Sequence, residues 1–379
     1  MHLIGGTQDK MNIVKIDLNA ISYNIRLIKN ILPKKVGIMG IVKSDAYGHG
    51  IIEVSRILYN EGIKLLGVAY PSEAYKLIKN NIRASIVILC GFQKKDEAEM
   101  IIEYDVIPVI WDLDMIHMLN NEAKKRNKKI KALLKIDTGM GRLGIPYNKT
   151  KKIIKALYSM NMIEIKGLLS HFSCADILCD NFTQLQIKRF KETIHMCNNI
   201  GISLSMNSLA NSAGIINYQD SLFDIVRPGI ILYGGLPNPN FKVPFKLKQA
   251  MEFKGKVLQI REVPPNTPLS YGKTYITKSH KKIAIVSGGY GNGIPRAISN
   301  KGYVLIRGRK APIIGQICMD LITCDITHIN DVIIGDNVIF MGTSEKEKIT
   351  ADDISKWAGT ISYEIFCSIG KINKREYIK

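Results

Sequence analysis

The sequence predicts an α/β fold: an N-terminal (β/α)8 barrel followed by a smaller, mostly β domain. Three observations carry this. Short apolar runs alternate with helical patterns from residue 18 onward. Eight such runs occur before residue 245. After Pro237, Pro239 and Pro244 the helices thin out, and strand-like runs follow one another with turn residues between them. Strands covered on both faces read as nearly continuous apolar runs, and strand–helix units repeated over about 230 residues fit a closed barrel. A doubly wound open sheet shares the pattern and remains the structural alternative.

The elements follow in order. Leu18, Ile21, Ile25, Ile28 and Leu32 recur at helical spacing, and Pro33 ends that helix. Val36–Val42 reads as the first buried strand. Leu65–Ala69, Ile86–Cys90, Val106–Ile110, Ala132–Ile136, Ile163–Leu169, Leu204–Met206 and Asp224–Val226 supply the rest. In the second part the expected strands are Val257–Ile260, Lys282–Ser287, Tyr303–Ile306, Ala311–Ile314, Leu321–Ile326 and Asn337–Met341, closed by one helix, Ala351–Ala358. The expected domains are therefore 12–245 and 246–379, with residues 11–17 available to pair with the second. Met1–Lys10 carries no structural pattern, and there is no internal repeat.

Composition narrows the class. The 379 residues are 46% hydrophobic and 23% charged, an ordinary globular balance. The net charge of +20 suits a nucleic-acid binder, but the lysines are scattered through helix-like segments, which favours a lysine-rich surface and no nucleic acid. Lys124, Lys125 and Arg126 read as a solvated helix end. Seven cysteines and no signal-peptide pattern point to a reduced, cytoplasmic protein. Cys174 and Cys179 lack a second pair at ligand spacing, so no metal site is expected. No apolar run approaches the ~18 residues of a membrane helix.

The chemistry concentrates where the first strand ends. Val36–Val42 runs directly into Lys43-Ser44-Asp45-Ala46-Tyr47-Gly48-His49-Gly50. Strand C-terminal ends face the active site of a barrel. A lysine there either leaves the strand into water or serves as a desolvated amine able to bond a carbonyl cofactor. Spacing alone leaves both open. Other motifs fall away. Gly272-Lys273-Thr274 lacks the upstream glycine of a phosphate loop, since Thr267 stands there. Gly289–Gly293 has no dinucleotide fingerprint around it. His49, between two glycines, reads as a turn residue with a satisfied ring nitrogen. His117 and His195 fall on exposed helix faces.

The run Val42–Gly50 closely resembles the cofactor-attachment motif of the bacterial alanine racemases. The resemblance continues through Lys135–Gly144, His171-Phe172-Ser173 with Ala175-Asp176, Asn211-Ser212-Ala213 and Val226–Ile230. In the second domain it includes Ser270–Tyr275, Pro295-Arg296, Cys318-Met319-Asp320 and Ile361–Glu364. It implies an α/β barrel that binds pyridoxal 5′-phosphate (PLP), a C-terminal β domain, and a homodimer with shared active sites. It also implies interconversion of L-alanine and D-alanine, which supplies D-alanine for peptidoglycan.

Racemisation needs acid–base groups on opposite faces of the α-carbon. The resemblance assigns these to Lys43 and to Tyr271 of the partner subunit. Tyrosine titrates near 10, so ionising it at neutral pH costs about 4 kcal/mol, which His171 and Arg227 are expected to offset in part. Arg227 is expected at the ring nitrogen of PLP, where it cannot supply a carboxylate's proton-holding role; this favours reprotonation over transamination. Tyr47, Asn211, Ser212, Gly229, Ile230 and Tyr363 are expected around the cofactor, the phosphate taking Tyr47, Ser212, Tyr363 and the Gly229 and Ile230 amides. Arg142 and Met319 are expected at the substrate carboxylate. Lys135, at a position often carbamylated in the family, is expected to position that arginine. Asp176, Tyr290, Arg296 and Asp320 are expected at the entrance and behind the contact residues. Two departures alter the channel lining: Gln316 stands where the family commonly has Arg, and Asn292 where it has Asp. Competing readings are a serine or broad-specificity racemase, disfavoured by the bulk of Tyr363; a PLP-carrier barrel, disfavoured by the β domain; and a decarboxylase, disfavoured by Arg227.

Overall fold

The computed structural model describes residues 11–157, 160–178 and 180–379. The segment Met1–Lys10 and the second cysteine of the Cys174/Cys179 pair lie outside the described residues.

The chain opens with β1 (Ile13–Asp17), and the Asp17 carboxylate caps the helix Leu18–Ile31 by accepting from the Ala20 amide at 2.9 Å. The barrel staves are β2 (Gly37–Ile41), β3 (Leu65–Val68), β4 (Ser85–Ile88), β5 (Ile107–Ile110) and β6 (Ile130–Asp137), a two-residue β7 (Ile145–Pro146) beside it, then β8 (Ile163–Leu169) and β9 (Ile225–Val226). All pair in parallel: β2 with β3, β3 with β4, β4 with β5, β5 with β6, β6 with β8, and β9 back to β2. Helices cover the outside. Lys125 and Arg126, at the end of one of them, both bond to Glu122.

One expected stave is not a strand. Leu204–Met206 has no regular ladder, yet residues 205–210 fill the gap between β8 and β9. The Ser208 amide donates to Leu168 O at 2.8 Å, the Ser170 amide to Ser208 O at 3.1 Å, and the Arg227 amide to Ala210 O at 2.9 Å. The cause is a close approach at Gly167, where a Cβ would fall 2.3 Å from the Met206 carbonyl oxygen. The backbone is pulled too near for even pairing, and the barrel closes through an irregular stave.

The second domain is built on a long, bent strand, β10 (Met251–Val263). A small hairpin follows, β11 (Pro268–Leu269) with β12 (Tyr275–Ile276). Then come β13 (Lys281–Ser287), β14 (Tyr303–Ile306), β15 (Arg309–Pro312), β16 (Leu321–Asp325), β17 (Asn337–Ser344) and β18 (Glu347–Ile349). The expected single closing helix, Ala351–Ala358, is followed by a second, Ser362–Ile372, and by β19 (Arg375–Ile378). That second helix was hidden in the sequence because Ile361–Glu364 reads as a motif. Its Ile365, Phe366 and Ile369 recur on one buried face. β1 is antiparallel to β10 and parallel to β19. The first strand of the chain therefore belongs to the second domain's sheet. One continuous apolar core runs through both parts. Among the described residues, no helix is long and apolar enough to cross a membrane.

Candidate active site

The C-terminal ends of the staves open onto a cavity of about 640 Å³. Lys43 follows β2, Cys90 follows β4, Lys135 stands on β6, His171 follows β8, and Arg227 follows β9; all five line it. So do Tyr47, Arg142, Asp176, Asn211, Ser212, Gly229, Ile230 and Tyr363. A second hollow of about 560 Å³ sits at the opposite mouth, against Gly37, Lys64 and Ser85 where strands begin. That face of a barrel normally serves stability.

Lys43 enters on an unusual turn. Ser44, Asp45, Ala46 and Tyr47 all have φ between 53° and 55°, a full left-handed helical turn. Each such L-residue costs roughly 1–2 kcal/mol, so the surroundings must hold the turn. Glu73 accepts from the Ser44 amide at 2.6 Å and from the Ala69 amide at 2.7 Å. The Asp45 carboxylate accepts from the Ile51 amide at 3.0 Å and pairs with Arg375. Gly48 presses on the helix Ser362–Ile372, where a Cβ would fall 2.4 Å from Phe366 O. His49 is fully buried, its ring stacked on Tyr233 at 4.5 Å. Its Nδ1 contacts the Ala46 and Tyr47 carbonyls at 3.0 and 3.1 Å, as a turn residue should, while Nε2 has no hydrogen-bond partner among the described residues.

The floor of the cavity is cationic. Arg227 is 4% exposed. It donates to Ser208 Oγ and Ser170 O at 2.6 Å, to Leu209 O at 3.2 Å and to His171 Nδ1 at 3.3 Å. Burial pulls its pKa to about 9, which leaves it charged at neutral pH. Arginine only donates, so His171 Nδ1 must be the acceptor, and the ring proton sits on Nε2. Burial first, then Arg227, Lys135 and Arg142, hold His171 well below its ordinary pKa. It is therefore a neutral N–H donor. Burial and the neighbouring Arg227 lower Lys135 to about 7. Lys43 is likewise lowered, chiefly by burial. Arg142 is exposed at the rim, on a loop shaped by Asp137, which accepts from the Gly139 and Gly141 amides. Asp176 accepts from Asn238 at 2.8 Å.

Hydroxyls crowd the β2–β9 side. Burial raises the pKa of Tyr47 and of Tyr363, so both stay neutral donors; their rings are 5.6 Å apart. Gly229 passes so close to Tyr47 that a Cβ would fall 2.6 Å from its hydroxyl oxygen. The Gly229 amide donates to Ser212 Oγ at 2.9 Å, and Asn211 caps the following helix through the Gly214 amide. Among the described residues no cluster has the make-up of a metal site.

Twelve of the expected residues thus share one cavity. Five do not: Tyr271, Tyr290, Arg296, Met319 and Asp320 sit on the second domain. Tyr271 occupies the tip of the β11–β12 hairpin and is 70% exposed. Its neighbour Ser270 donates to Gln316 O at 2.6 Å. The Tyr290 amide donates to Cys318 O at 3.1 Å and the Gly291 amide to Met319 O at 2.8 Å. Asn292 turns inward and exchanges hydrogen bonds with Asn373, so its amide is used for packing.

Two family models match the chain: the alanine racemase N-terminal domain over residues 16–237 and the alanine racemase C-terminal domain over residues 250–377. The chain belongs to the alanine racemase family. It is 40% identical to an alanine racemase of Halothermothrix orenii over 96% of both chains. A solved alanine racemase of Streptomyces lavendulae superposes with a TM-score of 0.93 at 29% identity, covering 98% of each chain. The alanine racemase of Bartonella henselae, solved with covalently bound pyridoxal phosphate, gives 0.87 at 33% identity, covering 97% of this chain and all of that one.

Within this family member, sequence reasoning passed over four residues at the site. Glu73 anchors the turn, Tyr233 underlies His49, Cys90 lines the cavity, and Arg375 reaches the turn from β19. A carboxylate in the first helical turn after β3 was a legible hint for Glu73. Nothing local to residue 375 points toward residue 45.

Proposed function

We propose that this protein racemises alanine with PLP as its cofactor, working in the cytoplasm as a homodimer whose sites are shared, and supplying D-alanine for peptidoglycan. The observation that carries the reading is Lys43 on its left-handed turn, in one cavity with a buried Arg227 held by four acceptors. The cavity suits the cofactor. Lys43, Lys135, Arg142 and Arg227 give it cationic lining against the single acid Asp176, which favours a phosphate and a carboxylate. Gly229, with no Cβ, lets the Tyr47 hydroxyl lie close against the backbone at the cavity wall.

PLP, when bound, supplies the electron sink that makes the α-proton of an amino acid removable. Lys43 would hold it covalently, Tyr47, Ser212 and Tyr363 would donate to its phosphate, with the Ile230 amide beside them, and Asn211 would border it. Arg227 would face its ring nitrogen; as a permanent donor with no lone pair it would donate to an unprotonated nitrogen there, which suits return of the α-proton to carbon. Arg142 would hold the substrate carboxylate, supported by Lys135, whose partly unprotonated amine could carry a carbamate. Met319 of the partner would contribute from above, with Tyr290, Arg296, Asp176 and Asp320 around the entrance. The second acid–base group would come from outside the chain, through the mouth of the cavity. Tyr271 of a partner would enter there, and the His171 Nε2–H would steady its phenolate.

The Tyr363 ring, packed on Tyr47, limits the space beside the substrate and favours alanine over serine. Purified protein with added PLP is incubated with L-alanine or L-serine, alongside Lys43→Ala and Tyr271→Phe. Faster D-alanine than D-serine, with both variants crippled, supports the reading. Faster D-serine overturns the substrate, and no D-product from bound PLP overturns the racemase.

A further inference from the structure

We propose that Arg375 is a positioning residue for Lys43: it holds the left-handed turn from behind, so the last strand of the second domain sets the aim of the barrel's lysine. The inference rests on the reading that Lys43 carries PLP.

Hydrogen bonds inside the turn do not stabilise its hand sufficiently. The Ala46 amide reaches Val42 O at 2.8 Å and the Gly48 amide reaches Ser44 O at 3.1 Å. A right-handed turn makes bonds of the same kind without the steric cost. The hand must be chosen by anchors outside, and besides the helix packed on Gly48 two side chains hydrogen-bond the turn from opposite ends. Glu73 binds the front of the turn at the Ser44 amide. Arg375 binds the back: one guanidinium nitrogen, Nη1, donates both to the Asp45 carboxylate and to Gly48 O, the latter at 2.9 Å. Asp45 and Arg375 are each about one-fifth exposed, so their charges are only partly screened. The other cation on Asp45 is Lys76 at 3.4 Å, which is more than half exposed.

The register of β19 makes this a built contact. β19 pairs in parallel with β1, Val14 opposite Arg375 and Ile16 opposite Tyr377. Residues two apart on a strand share a face, and both meet the turn. The Tyr377 hydroxyl sits 1.9 Å from where a Cβ on Gly50 would be. Both hydrogen bonds described for Arg375 go to the turn and neither to the barrel wall. Removing it leaves Asp45 with the Ile51 amide and the exposed Lys76, and it frees the Gly48 carbonyl. The turn can then relax, and Lys43 at its root swings with it.

The test uses full-length holoenzyme carrying Arg375→Met, which keeps the stem and removes the charge and donors, and Arg375→Lys, which restores one charge. Three properties are read: PLP retention on dialysis, the pH titration of the visible absorbance of lysine-linked PLP, and thermal midpoint. Expected for Arg375→Met is a PLP dissociation constant raised roughly tenfold or more, the order seen when a supporting residue behind a ligand is lost. The titration should shift and kcat should fall with little change in KM. Arg375→Lys should recover part of each. Unchanged retention and titration in Arg375→Met overturns the proposal. So does a fall in thermal midpoint and retention that Arg375→Lys does not relieve, because that marks a purely structural role. If wild-type protein itself shows no lysine-linked PLP, the functional reading fails first, and the two failures are distinct.

Discussion

Arg227 shows how a single side chain can set the protonation of its neighbours. Four acceptors surround it, and one of them is His171 Nδ1. Arg227→Gln removes the charge and most of the donors. Buried carbonyls of Ser170 and Leu209 then lose partners, and the expected loss of stability is about 1.5–3 kcal/mol, read from urea midpoints. His171 also loses the largest charge holding its pKa down. The acid limb of the rate profile should therefore move to higher pH. A profile that stays put would separate His171 from the chemistry.

Lys135 makes a second prediction at the same scale. Folded, it titrates near 7, against about 10.5 when free. Between those values the unfolded chain carries a proton that the folded chain has released, so this group makes stability rise with pH across that window. In cofactor-free protein, Lys135→Met should flatten that part of the urea-midpoint curve. An undiminished slope would assign it elsewhere. Of the site's residues, Lys43 was legible as a candidate because an abrupt end to an apolar run places it at a strand end, while the other expected residues came from the family resemblance. The protonation states were not legible, because they depend on Arg227 meeting residues from two other staves.

At the level of elements, the parallel staves were readable since both faces are buried, as in β5, where every residue is enclosed. The irregular stave at 204–210 was not, since its close approach to Gly167 on the neighbouring β8 is a contact made only in the folded barrel. Nor was the turn after Lys43. Its sequence favours no left-handed run beyond the two glycines, and its hand comes from Glu73, Arg375 and the helix Ser362–Ile372. Gly48 is where that helix and the turn touch. Gly48→Ala would place a Cβ 2.4 Å from Phe366 O at a φ of +83°. Strain and overpacking together predict a loss of about 2–5 kcal/mol and weakened PLP retention. A fully stable Gly48→Ala protein would show that the turn and helix are not tightly joined.

For the whole molecule, the division of residues between the two parts is the central fact. The barrel collects Lys43, His171 and Arg227 in one cavity, while Tyr271, Tyr290 and Met319 stand exposed on the second domain. The expectation of two domains was legible from the change in rhythm near residue 245, but the joining of β1 to β10 and β19 was not, since it unites the chain's ends. Those strands fix where the second domain presents its hairpin. An exposed face carrying Tyr271, Ile276, Met319 and Leu321 is the kind of surface that a symmetric partner covers.

The most direct measurement mixes two inactive proteins. Lys43→Ala and Tyr271→Phe homodimers are unfolded together, refolded with PLP, and assayed for D-alanine. If each site takes its lysine from one chain and its tyrosine from the other, a mixed dimer holds one intact site. With random pairing about a quarter of wild-type activity should return. Activity no greater than that of the separate variants, with mixed dimers demonstrated, would contradict the shared two-base site.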